Sequence, residues 1–285
     1  MSKFDPYNHL SIVLNTDGTL TRNYHAPTIQ ANPEPKRGDS TVSKDVTLNA
    51  ANKTWLRIYR PTKLPSNDTT VARLPIVVYF HHGGWILLSA ADRDVHTNCS
   101  HLADGIPAIV VSVNYRLAPE SRLPDQYHDA NDAVLWVKQQ IIDPRGDQWI
   151  RDYGDPSRCY LYGGGCGGNI VFNLGIKACD LELSPLRIGG IIMNQPMFGG
   201  VKRTNSELRF ATDELFPLPV VDMMWDLVLP HHTDKDHRQQ ELVTMLVKCG
   251  VQVEARFDPL GFHNVDMVDP QRASAVMNIV KEFIH

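Results

Sequence analysis

Three short stretches of this 285-residue chain bring together residue types that can do chemistry. His81-His82-Gly83-Gly84-Trp85 follows an apolar run, LPIVVYF. Backbone N–H groups of a glycine pair approach a ligand closely and converge on an oxygen that is gaining charge, so Gly83 and Gly84 are candidates for an oxyanion hole. Gly163-Gly164-Gly165-Cys166-Gly167-Gly168-Asn169 stands where a strand gives way to a helix. A sharp turn of that kind holds a nucleophile in a strained, exposed position, and its flanking glycines relieve the crowding. A phosphate-binding loop fits less well, because neither the GxxxxGK[ST] lysine nor the spaced GxGxxG with its later acid is present. The third stretch is Gly261-Phe262-His263, between the last expected strand and the last expected helix, where His263 could serve as a general base.

These residues need a frame. Residues 41–48 and 54–59 alternate in strand fashion and predict a leading antiparallel pair. From residue 74 onward apolar runs alternate with helical patterns: strands over 74–80, 108–114, 158–162 and 188–193, helices over 94–103, 124–142 and 169–179. That alternation predicts a mostly parallel sheet with helices on both faces. The continuous apolar run 74–80 reads as a strand buried on both sides. Residues 1–40 read as a surface-wrapping arm and 197–238 as a lid with an apolar helix over 220–229. A helix over 240–249, a strand over 251–257 and a last helix over 270–284 close a single domain spanning 1–285.

One element is missing from that alternation. The polar stretch 231–238 runs straight into the helix expected at Gln240, with no apolar strand to feed it. A strand and its following loop are therefore expected to be absent here.

The glycine pair, Tyr115-Arg116-Leu117-Ala118-Pro119-Glu120, the second glycine cluster and Met223-Met224-Trp225 occur in one order along the chain. In this they resemble the plant carboxylesterase family of the α/β-hydrolase fold, which includes the gibberellin receptor and 2-hydroxyisoflavanone dehydratases. The resemblance covers nearly the whole chain and implies a mostly parallel central sheet, a lid and a Ser…Asp…His triad. It matches Gly83 and Gly84 to the oxyanion-hole glycines and His263 to the general base. The family's G-x-S-x-G-G-N then falls without gaps on Gly163 to Asn169, which puts Gly165 where the serine belongs and gives Cys166 the place whose backbone N–H joins the oxyanion hole. The strand expected to be absent is the one that would carry the acid.

A second frame stays open. Gly164-Gly165-Cys166-Gly167-Gly168 is itself G-x-C-x-G, and a cysteine whose pKa a histidine lowers is a competent nucleophile. The flanks fit the first frame and leave Cys166 a buried, inert residue. The expected function is thus a carboxylesterase homologue with a degenerate triad that binds a small apolar ester, lactone or hormone-like molecule with little or no serine-type hydrolysis. The alternatives are an ester hydrolase using Cys166 and His263, or a lyase or cyclase using His263 and the oxyanion hole.

Composition bounds the rest. A net charge of −4 without basic blocks predicts no nucleic-acid partner, and no apolar stretch approaches a membrane span. Five scattered cysteines suit a reducing compartment, so the expected location is cytosolic, shared with the nucleus. No cofactor or metal is expected. His231, His232 and His237 lack a ligand register, and Glu207 with Arg209 reads as a lid ion pair.

Overall fold

A computed structural model describes residues 4–64, 66, 67, 70, 71, 73–233, 252, 254, 256 and 265–285. The arm opens with the short helix α1 (Pro6–His9), whose end Asp5 caps by accepting from the Tyr7 and Asn8 N–H groups. It continues as the hairpin β1 (Ile12–Leu14) and β2 (Leu20–Arg22). Each of these strands is three residues long, too short to leave a periodic signal in the sequence. The leading pair forms as expected: β3 (Thr41–Asn49) and β4 (Thr54–Pro61) run antiparallel. A small hairpin follows, of β5 (Ser66–Asn67) and β6 (Thr70–Val71).

The parallel part of the sheet consists of β7 (Leu74–Phe80), β8 (Ile109–Asn114), β9 (Gly154–Gly164) and β10 (Ile188–Asn194). Every residue of β7 is buried, which is why its sequence is apolar without alternation. The order across the sheet is β10-β9-β7-β8-β4-β3, with β8 and β9 both parallel to β7 on its two sides. The chain therefore steps from β7 to β8 on one side and returns to β9 on the other. This is a switch point, where the connections after β7 and β9 leave toward opposite edges of the sheet. The two glycine motifs open those two connections.

Helices α2 (Arg93–Gly105), α3 (Asp125–Ile142) and α4 (Cys166–Ala178) connect the strands. After β10 come α5 (Asn205–Arg209) and α6 (Leu218–Val228), and the last described helix is Pro270–Ile284. Helix α4 begins at Cys166, three residues earlier than the glycines suggested.

The helix expected over 240–249 lies outside the described residues. Of the strand expected over 251–257, Gln252, Glu254 and Arg256 are described; all three are exposed and none belongs to a strand. Glu207 pairs with Arg203 at 3.4 Å and not with Arg209, whose guanidinium lies over the Phe210 ring. Within α5, Glu207 and Arg209 are two residues apart and so do not share a helix face.

The motif Tyr115 to Glu120 ties arm, sheet and helix together. Arg116 holds the fully buried Asp129 of α3 at 2.8 Å and Asp125 at 3.0 Å. Glu120 pairs with Arg22 of β2 at 2.8 Å, and Arg22 also donates to the carbonyls of Ile86 and Ala118. The arm is thereby pinned beside the first glycine loop.

Candidate functional site

The turn from β9 into α4 is made by Gly165, at φ 53° and ψ −120°. An L residue there is strained, because its Cβ crowds the backbone. Backbone hydrogen bonds fix the turn: the Gly165 N–H donates to the Asn194 carbonyl at 2.9 Å, and the Gly165 carbonyl accepts from Met197 N–H at 2.9 Å. Packing is as tight as the glycines imply. A Cβ on Gly167 would lie 2.1 Å from the Phe80 carbonyl oxygen, and one on Gly163 would lie 2.0 Å from the Gly167 carbonyl oxygen. The first turn of α4 thus rests directly on the backbone at the end of β7.

The loop after β7 carries three successive residues at positive φ: Gly83 (117°), Gly84 (61°) and Trp85 (63°). At Trp85 a non-glycine residue holds this conformation because its neighbours fix it. Its N–H donates to Cys166 Sγ at 3.2 Å, and its ring sits 4.8 Å from that of Trp225 on α6. Met224 of the same helix fills the space over Gly84, where a Cβ would meet its sulfur at 2.4 Å. Helix α6 is therefore seated on the glycine loop.

Cys166 is fully buried. Sγ meets the Tyr115 hydroxyl at 3.5 Å and donates to the His81 carbonyl at 3.7 Å. Burial pushes its pKa up. The Tyr115 hydroxyl and the N–H groups of Trp85, Gly84 and Gly167 pull it down without offsetting the burial. A cysteine nucleophile needs the opposite environment, one that lowers the thiol pKa. Cys99, Cys159 and Cys179 are free as well, the last being exposed.

His81 lies beneath the loop, its Nδ1 donating to the His82 carbonyl at 2.6 Å and its ring stacked on Tyr115. Burial lowers its pKa to about 3. His82 is buried too, next to the turn: a Cβ on Gly164 would come 4.0 Å from the His82 Cβ. Among the described residues, the buried ring nitrogens His81 Nε2, His82 Nε2 and Trp85 Nε1 have no hydrogen-bond partner. Opposite, Asp266 accepts from Asn194 Nδ2 at 2.7 Å and from Gln195 Nε2 at 2.9 Å. Asn194 is the register partner of Gly164, so this carboxylate stands close to the same turn.

Of the residues predicted from sequence, Gly83, Gly84, Gly165 and Cys166 come together at one place. His263 lies outside the described residues. His82 and Asp266 were missed as individuals, although both sit inside motifs that stand out for other members. Among the described residues no group of three or more His, Cys, Asp or Glu side chains is arranged to hold a metal ion. An open cleft of about 530 Å³ also lies between Pro6 and Tyr7 of α1 and Leu218, Pro219 and Met223 of α6.

A match to the α/β-hydrolase fold family covers residues 77–260. The Arabidopsis thaliana protein named "Probable carboxylesterase 9" is 45% identical, with 99% of this chain and 97% of that protein aligned. This chain belongs to the plant carboxylesterase family. Carboxylesterase CXE2 of Papaver somniferum, which acts on 3-O-acetylpapaveroxine, is 36% identical over 98% of this chain and 99% of its own length. Gibberellin receptor GID1C of Arabidopsis thaliana is 33% identical over 80% of this chain and 66% of its own length. The plant carboxylesterase fold extends to bacterial heroin esterase, with a TM-score of 0.70 at 19% identity over 87% of this chain and 86% of that one. The alignment with the 45% identical carboxylesterase runs over 315 positions, more than the 285 residues of this chain. That relative therefore holds residues with no counterpart here. Among the described residues no helix is long and apolar enough to cross a membrane.

Proposed function

We propose that this carboxylesterase-family chain binds a small apolar ester, lactone or hormone-like molecule in the crevice under the lid, with little or no serine-type hydrolysis. The observation that carries this reading is Gly165: it occupies the strained turn between β9 and α4, and it has no side chain with which to attack a carbonyl. Cys166, one residue on, does not substitute for it, because its sulfur is turned into the protein and its thiol pKa is raised. Gly83 and Gly84 keep the positive-φ backbone of a loop that binds a carbonyl oxygen. The surplus of alignment positions over residues fits an acid-bearing strand lost ahead of Gln240. His263 then remains as a base without its orienting carboxylate. Cytosol and nucleus are the compartments we assign.

Turnover of an activated short-chain aryl ester tests this, with the intact chain assayed beside Cys166→Ala. Both proteins are expected to stay at the background rate of surface nucleophiles. Turnover well above background that Cys166→Ala abolishes would make the chain a thiol esterase and end this reading. Gly165→Ser supplies a hydroxyl at the turn but no acid, so its rate is expected to rise less than about tenfold, against the roughly 10²–10⁴ that a working general base contributes. A larger, phosphonate-sensitive rise would show that the acid and base are in place and that glycine alone silences the site.

A further inference from the structure

The loop after β7 presents a histidine that the reading above does not use. His82 is 8% exposed, its Nε2 is buried without a partner among the described residues, and its Cβ flanks the turn at Gly164. An unpartnered polar atom at such depth carries an uncompensated desolvation cost, which is retained where a ligand completes the bond. The surroundings restrict what that ligand is. Asp266 and Asp94 are the charged groups acting on His82, both are acidic, and the adjacent His81 is neutral. Among the described residues no cation acts on the ring. Asp266 is moreover fixed in place by Asn194 and Gln195 at the end of β10. An anion brought to His82 would face that carboxylate, whereas a neutral carbonyl oxygen would accept from the imidazole without repulsion.

We propose that His82 anchors the ligand by hydrogen-bonding its carbonyl oxygen beside the Gly165 turn, and that the site takes a neutral ester or lactone in preference to a carboxylate. This rests on the ligand-binding function proposed above and adds the residue and the charge class. A neutral imidazole suits such a bond. Burial lowers the His82 pKa, so the ring stays uncharged at neutral pH and donates its N–H without a buried ion.

The probes are γ-decalactone and its ring-opened form, 4-hydroxydecanoate, which share a carbon skeleton and differ in charge. Binding to the full chain is followed by tryptophan fluorescence, since Trp85 and Trp225 pack against each other at the loop. The lactone is expected to bind at least about tenfold more tightly than the hydroxy acid. His82→Phe should weaken lactone binding about tenfold, and His82→Gln, which keeps an N–H donor, should restore most of it. Equal affinity for both probes, or unchanged lactone binding by a folded His82→Phe, overturns the proposal. If the phenylalanine variant does not fold, ¹⁵N spectra of the histidine-labelled wild type decide. The His82 ring resonances should move on lactone addition, and their failure to move while the lactone binds overturns the assignment. Absence of binding by either probe removes this proposal together with the pocket. Hydrolysis of the lactone that still depends on His82 would instead overturn the non-hydrolytic function and support the anchor.

Discussion

Replacing Gly167 by alanine should cost the fold about 4 kcal/mol, the size reserved for substitutions with a specific structural cause. An added Cβ would come within 2.1 Å of the Phe80 carbonyl oxygen, 2.7 Å of its carbon and 2.9 Å of the His81 carbonyl oxygen. All three are backbone atoms, so no rotamer change yields space. Relief requires α4 to lift off β7, and both elements are part of the buried core. The melting temperature is expected to fall by roughly 10 °C, at about 2–4 °C per kcal/mol for a chain of this size. Gly105→Ala is the matched control, because its Cβ meets only the Met277 sulfur, at 4.0 Å. A Gly167→Ala protein melting within about 2 °C of the wild type would mean that α4 does not rest on β7 as described.

Acidification from pH 7 to pH 5 should destabilise the protein by about 2 kcal/mol through His81 alone. In the folded chain burial holds this imidazole at about 3, while in the unfolded chain it titrates near its ordinary value of 6.5. The unfolded state therefore takes up a proton first. The stability due to the neutral buried ring is complete above pH 6.5 and is lost progressively as the pH falls toward 3. Burial lowers the pKa of His82 and of His96 as well, and each adds to the loss in the same direction. Carboxylates such as Glu120, whose pKa is lowered through Arg22, contribute mainly below their ordinary range near 4.5, so the interval from pH 7 to 5 reports histidine. Urea midpoints at pH 7, 6 and 5 measure the slope, and His81→Gln should flatten it. Equal stability at pH 7 and pH 5 would show that His81 is protonated without cost inside the fold.

The parts of this molecule that were legible in its sequence are those where one physical demand dominates. The run 74–80 had to be apolar on both faces because it lies at the middle of the sheet, and it was readable for that reason. The glycine clusters announced two tight loops, Gly84 at a positive φ beneath Met224 and Gly167 against the backbone of Phe80 and His81. The arm hairpin stayed hidden because three-residue strands carry no period, and because Arg22, which fixes it, bonds residues far along the chain. Strand β9 begins at Gly154, earlier than expected: Gly-Asp-Pro reads locally as a turn, yet Gly154 pairs with Leu74. At the site, Gly165 and Cys166 were found by motif. The burial of Cys166 was anticipated too, while the partners of its sulfur were not, because Tyr115 and Trp85 meet it from two other loops. His82 went unremarked for a related reason, since a histidine inside a glycine motif declares its burial only after the sheet is assembled.

Gly165 also gives the turn a preferred direction of exchange. At φ 53° a glycine rests without strain, and any side chain returning to that position would raise the energy of the turn by about 1–3 kcal/mol. Exchange of a side chain for glycine at this turn is a downhill step for the backbone and the reverse exchange an uphill one. The turn works as a ratchet: a chain that carries glycine here must hold stability in reserve before any side chain can be accommodated at this position.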